Sequence, residues 1–173
     1  MKTLWILAAG LMLGGCAMLP YTNPQAIADL KNAKGEAVGV AAILEDEGGV
    51  RFFADVRGLP AGKHGIHVHA VGKCDPSEFT SAGSHFNPTG KKHGMYNREG
   101  PHLGDLPNLD VLADGTGQVH YVLAGVTLGS GPTALLGGNE TAVIIHAGAD
   151  DYSTDPTGNS GGRIACGVIR KAG

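Results

Sequence analysis

From residue 25 onward the chain breaks every six to ten residues at a glycine-bearing turn, and this limits it to short strands. Runs at 25–31, 36–44, 50–58 and 63–70 are alternating or β-branched, and the segments between them (32–35, 45–49 and 59–62) each place glycine where a tight turn requires it. The pattern returns at 108–113, 118–124, 141–147 and 164–169, for a total of eight strands. No segment carries a convincing amphipathic helical period, so the expected fold is all-β, an antiparallel sandwich or flattened barrel. The 29 glycines are spread along the whole chain, as many turns and bulges require. With 173 residues, 42% apolar, there is material for one domain with a proper core. A net charge of −3 gives no basic surface for nucleic acid.

Two stretches interrupt the even spacing: 71–107 and the polar, glycine-rich 148–162. Loops this long inside a compact domain are usually functional. The first holds His85, His93, His102 and Cys74. Just before it, His67 and His69 sit two apart on a strand, so both rings share one face while Val68 points to the core. His146 ends the apolar run Ala142, Val143, Ile144, Ile145, and Asp105 follows His102 by three. Six imidazoles and a carboxylate without thiolates suit two sites, a tetragonal copper set and a four-coordinate zinc set, if one ring serves both metals. His64 and His120 read as structural or surface residues.

The N-terminus reads as an export signal. Lys2 supplies a positive start, residues 4–13 an apolar centre, and Leu13, Gly14, Gly15 and Cys16 close it. Small residues before Cys16 resemble the lipobox of bacterial lipoproteins, which implies a signal at 1–15, a lipidated tether at 16–24 and a domain at 25–173. Once Cys16 is set aside, Cys74 and Cys166 remain as an even pair in an oxidising compartment, where a disulfide is expected.

The segments 65–69, 81–83 with 85–88, 102–106 and 161–168 resemble the copper/zinc superoxide dismutase family in order and spacing, and the resemblance runs from about 25 to 169, nearly the whole expected mature chain. The resemblance implies an eight-stranded Greek-key β-barrel, an immunoglobulin-like sandwich architecture of which that enzyme is itself an example. It implies copper on His67, His69, His85 and His146, and zinc on His85, His93, His102 and Asp105, one ion of each per chain, with His85 as the bridge. It also implies the Cys74–Cys166 disulfide, Arg163 and His85 as catalytic groups, Asp150 linking His67 to His93, and Thr157 lining the channel.

The implied reaction turns two superoxide anions and two protons into dioxygen and hydrogen peroxide. The second loop is shorter than in eukaryotic relatives and has no lysine, which leaves Lys63, Lys73, Lys91 and Lys92 as candidates for attracting the anion. Expected partners are superoxide and, through Cys16, a membrane, with no nucleic acid and a homodimer left open. The expected location is the cell envelope, as an exported lipoprotein.

Overall fold

The structure is a computed structural model and describes residues 23–173. The expected signal and the expected lipidation at Cys16 lie outside the described residues. Nine strands form one antiparallel ladder: β1 (Ala26–Asn32), β2 (Ala37–Asp46), β3 (Gly49–Val56), β4 (Gly62–His64), β5 (Ile66–His69), β6 (Leu109–Val111), β7 (Gly117–Ala124), β8 (Thr141–His146) and β9 (Arg163–Lys171). Their order across the sheet is β4, β6, β7, β3, β2, β1, β9, β8, β5. The ladder curls into a nearly closed barrel filled by Leu30, Ile43, Phe52, Ile66, Leu109, Ile145 and Ile169, all fully buried. Removing each such side chain from water contributes roughly 1.5–3 kcal/mol. The helical element among the described residues is a single 3-10 turn, Thr80–Ala82, and no helix there is long and apolar enough to cross a membrane.

The count of nine corrects the expected eight, and the difference lies in one place. The run 63–70, which reads as a single strand, splits at Gly65 into β4 and β5, and these occupy opposite ends of the ladder. β4 pairs with β6, whereas β5 pairs with β8. Gly65 is the corner through which the barrel closes: its N–H donates to Gly148 O at 2.8 Å, and its carbonyl accepts from His146 N at 2.8 Å. A Cβ there would lie 2.8 Å from Ser160 Cβ and 3.2 Å from the His67 ring, so only glycine lets the chain turn under the second loop.

β5 and β8 are each buried on both faces. Ile66, Val68, Val143 and Ile145 fill the barrel, while Ala142 and Ile144 point outward into a smaller cluster with Phe79, Ala82 and Cys166. The first long loop therefore roofs the outer face of this strand pair. His67 and His69 stand under that roof.

Candidate metal centre

β5 is the last strand of the ladder, and the first long loop covers its free edge. Val68 N–H donates to Gly104 O at 2.9 Å, Phe86 N–H to Val68 O at 2.8 Å, and Ala70 N–H to Ser84 O at 2.9 Å. An added Cβ at Gly104 would fall 2.4 Å from Val68 O, so glycine is needed for this approach. The edge pairing sets Asp105 opposite His67 and His85 opposite His69. Loop residues are thereby placed with strand-like accuracy.

His67, His69, His85 and His146 bring one ring nitrogen each to within 4.8 Å of one another, and all four are buried. His67 and His85 stack with centroids 4.0 Å apart. The outer nitrogens of three rings are satisfied. His67 Nε2–H donates to Asp150 Oδ2 at 2.8 Å, His69 Nδ1–H to Gly83 O at 2.9 Å, and His146 Nδ1–H to Gly161 O at 3.1 Å. The inner nitrogens, His67 Nδ1 and the Nε2 of His69, His85 and His146, are buried without a partner. Each orphaned group would cost about 1–3 kcal/mol, so four aimed at one point call for an ion. An all-imidazole set suits Cu(II).

A second group forms around Asp105. Its Oδ2 accepts the backbone N–H of Gly94 and of His102, both at 3.0 Å. Its Oδ1 faces the Nδ1 atoms of His85, His93 and His102 at 3.1, 3.2 and 3.3 Å. A tetrahedron with zinc-to-ligand bonds of about 2.0 Å has edges of roughly 3.3 Å, so these separations fit a zinc-sized ion at the centre. His102 Nδ1 is orphaned like the four inner nitrogens. His67 also comes within 4.8 Å of His85, His93 and Asp105, but its outer nitrogen is bonded to Asp150 and its inner one belongs to the first group. His102 is the better fourth member.

Electrostatics divide the two groups. Burial lowers His67 to about 3, His69 to about 2 and His146 to about 4, so these rings are neutral at physiological pH and ready to donate a lone pair. Burial would also lower His93, but its hydrogen bonds with Asp105 and Asp150 overcome that and raise it to about 9. Burial would raise Asp105 and Asp150, yet their imidazole and backbone partners hold both carboxyls far below the usual range.

A family model described as copper/zinc superoxide dismutase (SODC) matches residues 37–169. The chain belongs to the copper/zinc superoxide dismutase family. It is similar to superoxide dismutase (Cu-Zn) 2 of Aquifex aeolicus, with 42% identity over 94% of this chain and 98% of the relative. It is 39% identical to superoxide dismutase (Cu-Zn) of Deinococcus radiodurans over 95% and 93% of the two chains. The crystal structure of a SOD-like protein from Bacillus subtilis superposes with a TM-score of 0.79 at 41% identity, covering 82% of this chain and 96% of that one.

Around the two groups, the other residues singled out in sequence fall as follows. Cys74 and Cys166 are joined by a disulfide, 5.7 Å between Cα atoms. It pins the start of the first loop to β9. Arg163, half-buried at the start of β9, donates from Nη1 to Phe79 O and from Nη2 to Gly83 O, both at 2.6 Å. The Gly83 carbonyl thus holds both His69 and the guanidinium. Asp150 accepts from His67 and, at 3.0 Å, from His93 Nε2. Thr157 is exposed and lines a shallow pocket with Ser84, His85, Lys91 and Asp155. Of the lysines, Lys63 pairs with Asp110 and Lys92 with Asp155, while Lys91 stands on the rim of the pocket that reaches His85. His64 is buried between Pro60 O and His146 O, and His120 stacks on Phe53.

Two residues with no role assigned from sequence matter here. Asn108 brackets Asp150, its Nδ2 donating to Asp150 O at 2.9 Å and its Oδ1 accepting from Asp150 N at 2.8 Å. Asp155 reaches back to the first loop and accepts the His93 N–H at 2.7 Å. Neither has a local signal, because each partner is more than 40 residues away.

Proposed function

We propose that this chain dismutes superoxide to dioxygen and hydrogen peroxide with one copper held by His67, His69, His85 and His146 and one zinc held by His85, His93, His102 and Asp105. The observation that carries this reading is the set of five orphaned, buried ring nitrogens, four converging on one point and the fifth beside Asp105. His85 is the ring with a nitrogen facing each group, Nε2 toward the first and Nδ1 toward Asp105. Copper, when bound, supplies one-electron exchange with superoxide, and zinc supplies a fixed charge.

The chain's own residues do the remaining work. Arg163, fixed by two carbonyls, keeps a positive charge beside His69 and His146 and draws the small anion to them. His85 Nε2, when free of the metal, would take a proton from solvent and pass it to the reduced substrate. Asp150 holds the His67 and His93 rings at once and so keeps the two halves in register. Thr157 borders the entry.

The proposal includes the placement of the molecule. The apolar segment 4–13 and Cys16 support export, acylation and attachment to a cell-envelope membrane, where the enzyme would meet superoxide from outside. Metal content and superoxide decay measured on one purified sample of the mature domain test the enzymatic reading. One copper and one zinc per chain with accelerated decay is the expected result. Both metals without acceleration would leave a metal-binding module instead.

A further inference from the structure

Rings that hold metal are oriented by what their outer nitrogens touch. In this centre His67 and His93 give theirs to Asp150, His69 to Gly83 O and His146 to Gly161 O, while His85 uses both nitrogens inward. One ring is left. His102 presents Nδ1 to Asp105, and its outer Nε2 faces Asp155 Oδ1 at 3.9 Å, a gap that one bridging water or a small turn of the carboxylate spans.

We infer that Asp155 is the positioning carboxylate of the zinc half, completing for His102 what Asp150 does for His67 and His93. The inference rests on the zinc assignment proposed above. One further contact supports it, and a second marks the exposed side of the carboxylate. The same Oδ1 accepts the backbone N–H of His93 at 2.7 Å, so one atom addresses two of the proposed zinc residues. The other oxygen accepts from Lys92 Nζ at 3.3 Å, in a half-exposed pair that adds little to its placement.

The geometry also gives the second loop a division of labour. Asp150 is buried and works on the ring of His93 from within; Asp155 is partly exposed and works on its backbone from the rim. Asp155 further lines the pocket that reaches His85 and His102, together with Pro156 and Thr157. It therefore stands between solvent and the zinc half. Losing it should loosen His102 and open a route for the ion to leave.

The test compares zinc release to a chelator from the fully metallated wild type and from Asp155→Ala, Asp155→Asn and Lys92→Gln. Copper retention and the melting temperature of the metal-free protein are followed alongside. Loss of an outer partner typically weakens metal binding about tenfold to a hundredfold. Asp155→Ala should release zinc at least about tenfold faster, with copper retention and metal-free melting unchanged. Asp155→Asn keeps an acceptor for the His93 N–H but loses the charge facing His102, so it should fall between alanine and wild type. Lys92→Gln should behave as wild type, because an exposed ion pair contributes little. Wild-type zinc retention in both Asp155 variants would overturn the inference. So would equal loss of copper and zinc with a lowered metal-free melting temperature, or a Lys92→Gln protein that leaks zinc as fast as Asp155→Ala. A wild-type protein that binds no zinc at all would instead overturn the metal assignment.

Discussion

On the side proposed for copper, His67, His69 and His146 stand on β5 and β8, strands buried on both faces. On the side proposed for zinc, His93, His102 and Asp105 all come from the one loop between β5 and β6. The first set is placed by the barrel and stays neutral, since burial holds its rings well below the ordinary imidazole value of 6.5. The second is placed by hydrogen bonds and carries charge, with an ionised Asp105 and a His93 raised to about 9. A redox ion is thus offered a stiff, uncharged cage. A structural ion is offered a charged one that a loop can close around it, and the comparison predicts that the two sides fail in different ways.

The disulfide is the strongest lever. Cys74 and Cys166 lie 92 residues apart in the chain, and a loop of that size stabilises by about 4–5 kcal/mol in the chain-entropy description. Replacing both with serine should lower metal-free stability by that amount in a urea titration. It should also loosen Phe79 and Gly83, and with them Arg163 and His69, so copper should be lost more readily than zinc. Equal loss of both ions would show that the two sides are not independent.

Next come the ligands. His146→Ala should cut the superoxide decay rate by at least about 100-fold and leave zinc content near one per chain, whereas Asp105→Ala should lose zinc and keep copper. Metal analysis of both variants decides this, and loss of both ions in either one would break the distinction. Arg163→Ala should lower kcat/KM about tenfold, the equivalent of ~1.4 kcal/mol, by removing the charge beside His69. Arg163→Lys should lose less, because it keeps the charge and gives up only the fork.

The pH response of the metal-free protein separates the sides by sign. His67, His69 and His146, lowered to about 3, 2 and 4, contribute stability that is intact above their ordinary 6.5 and lost as pH falls toward those values. His93, raised to about 9, contributes stability present below 6.5 and lost as pH rises through 9. The melting temperature should peak near pH 6.5 and fall by a few degrees on either side. His93→Gln should flatten the alkaline limb alone; an unchanged alkaline limb would detach it from the zinc side. The smallest effect expected is at the rim, where Lys91→Gln should slow the reaction about twofold at low salt and not at high salt.

Much of the copper side is visible in the chain itself. Alternation on a strand is a local rule, so His67 and His69 can be put on one face, with Ile66 and Val68 inward, from their spacing alone. The long loop announces itself by its length and its histidines. Cysteine counting already pairs Cys74 with Cys166, whereas resemblance to the family supplies Arg163 and Asp150, whose partners spacing could not name. What escaped was non-local. Gly65 looks like an ordinary residue within one strand, yet it is where the barrel closes, and the ninth strand follows from it. Asn108 and Asp155 resemble any polar residue next to a turn until the loops that carry them meet.

The sequence by itself determined an all-β chain, the face on which the first two rings stand, and the set of side chains available to two metals. Only the tertiary structure decided that Gly104 can approach Val68 closely enough to set His85 and Asp105 beside β5, and that Asp150 and Asp155 grip His93 from two directions. The physical reason is range. Strand periodicity is set by neighbours in sequence, whereas a metal centre needs nitrogen and oxygen atoms from residues 67 to 155 placed to within a few tenths of an ångström, and that precision exists only once the barrel has closed and the loops have bonded to its edge.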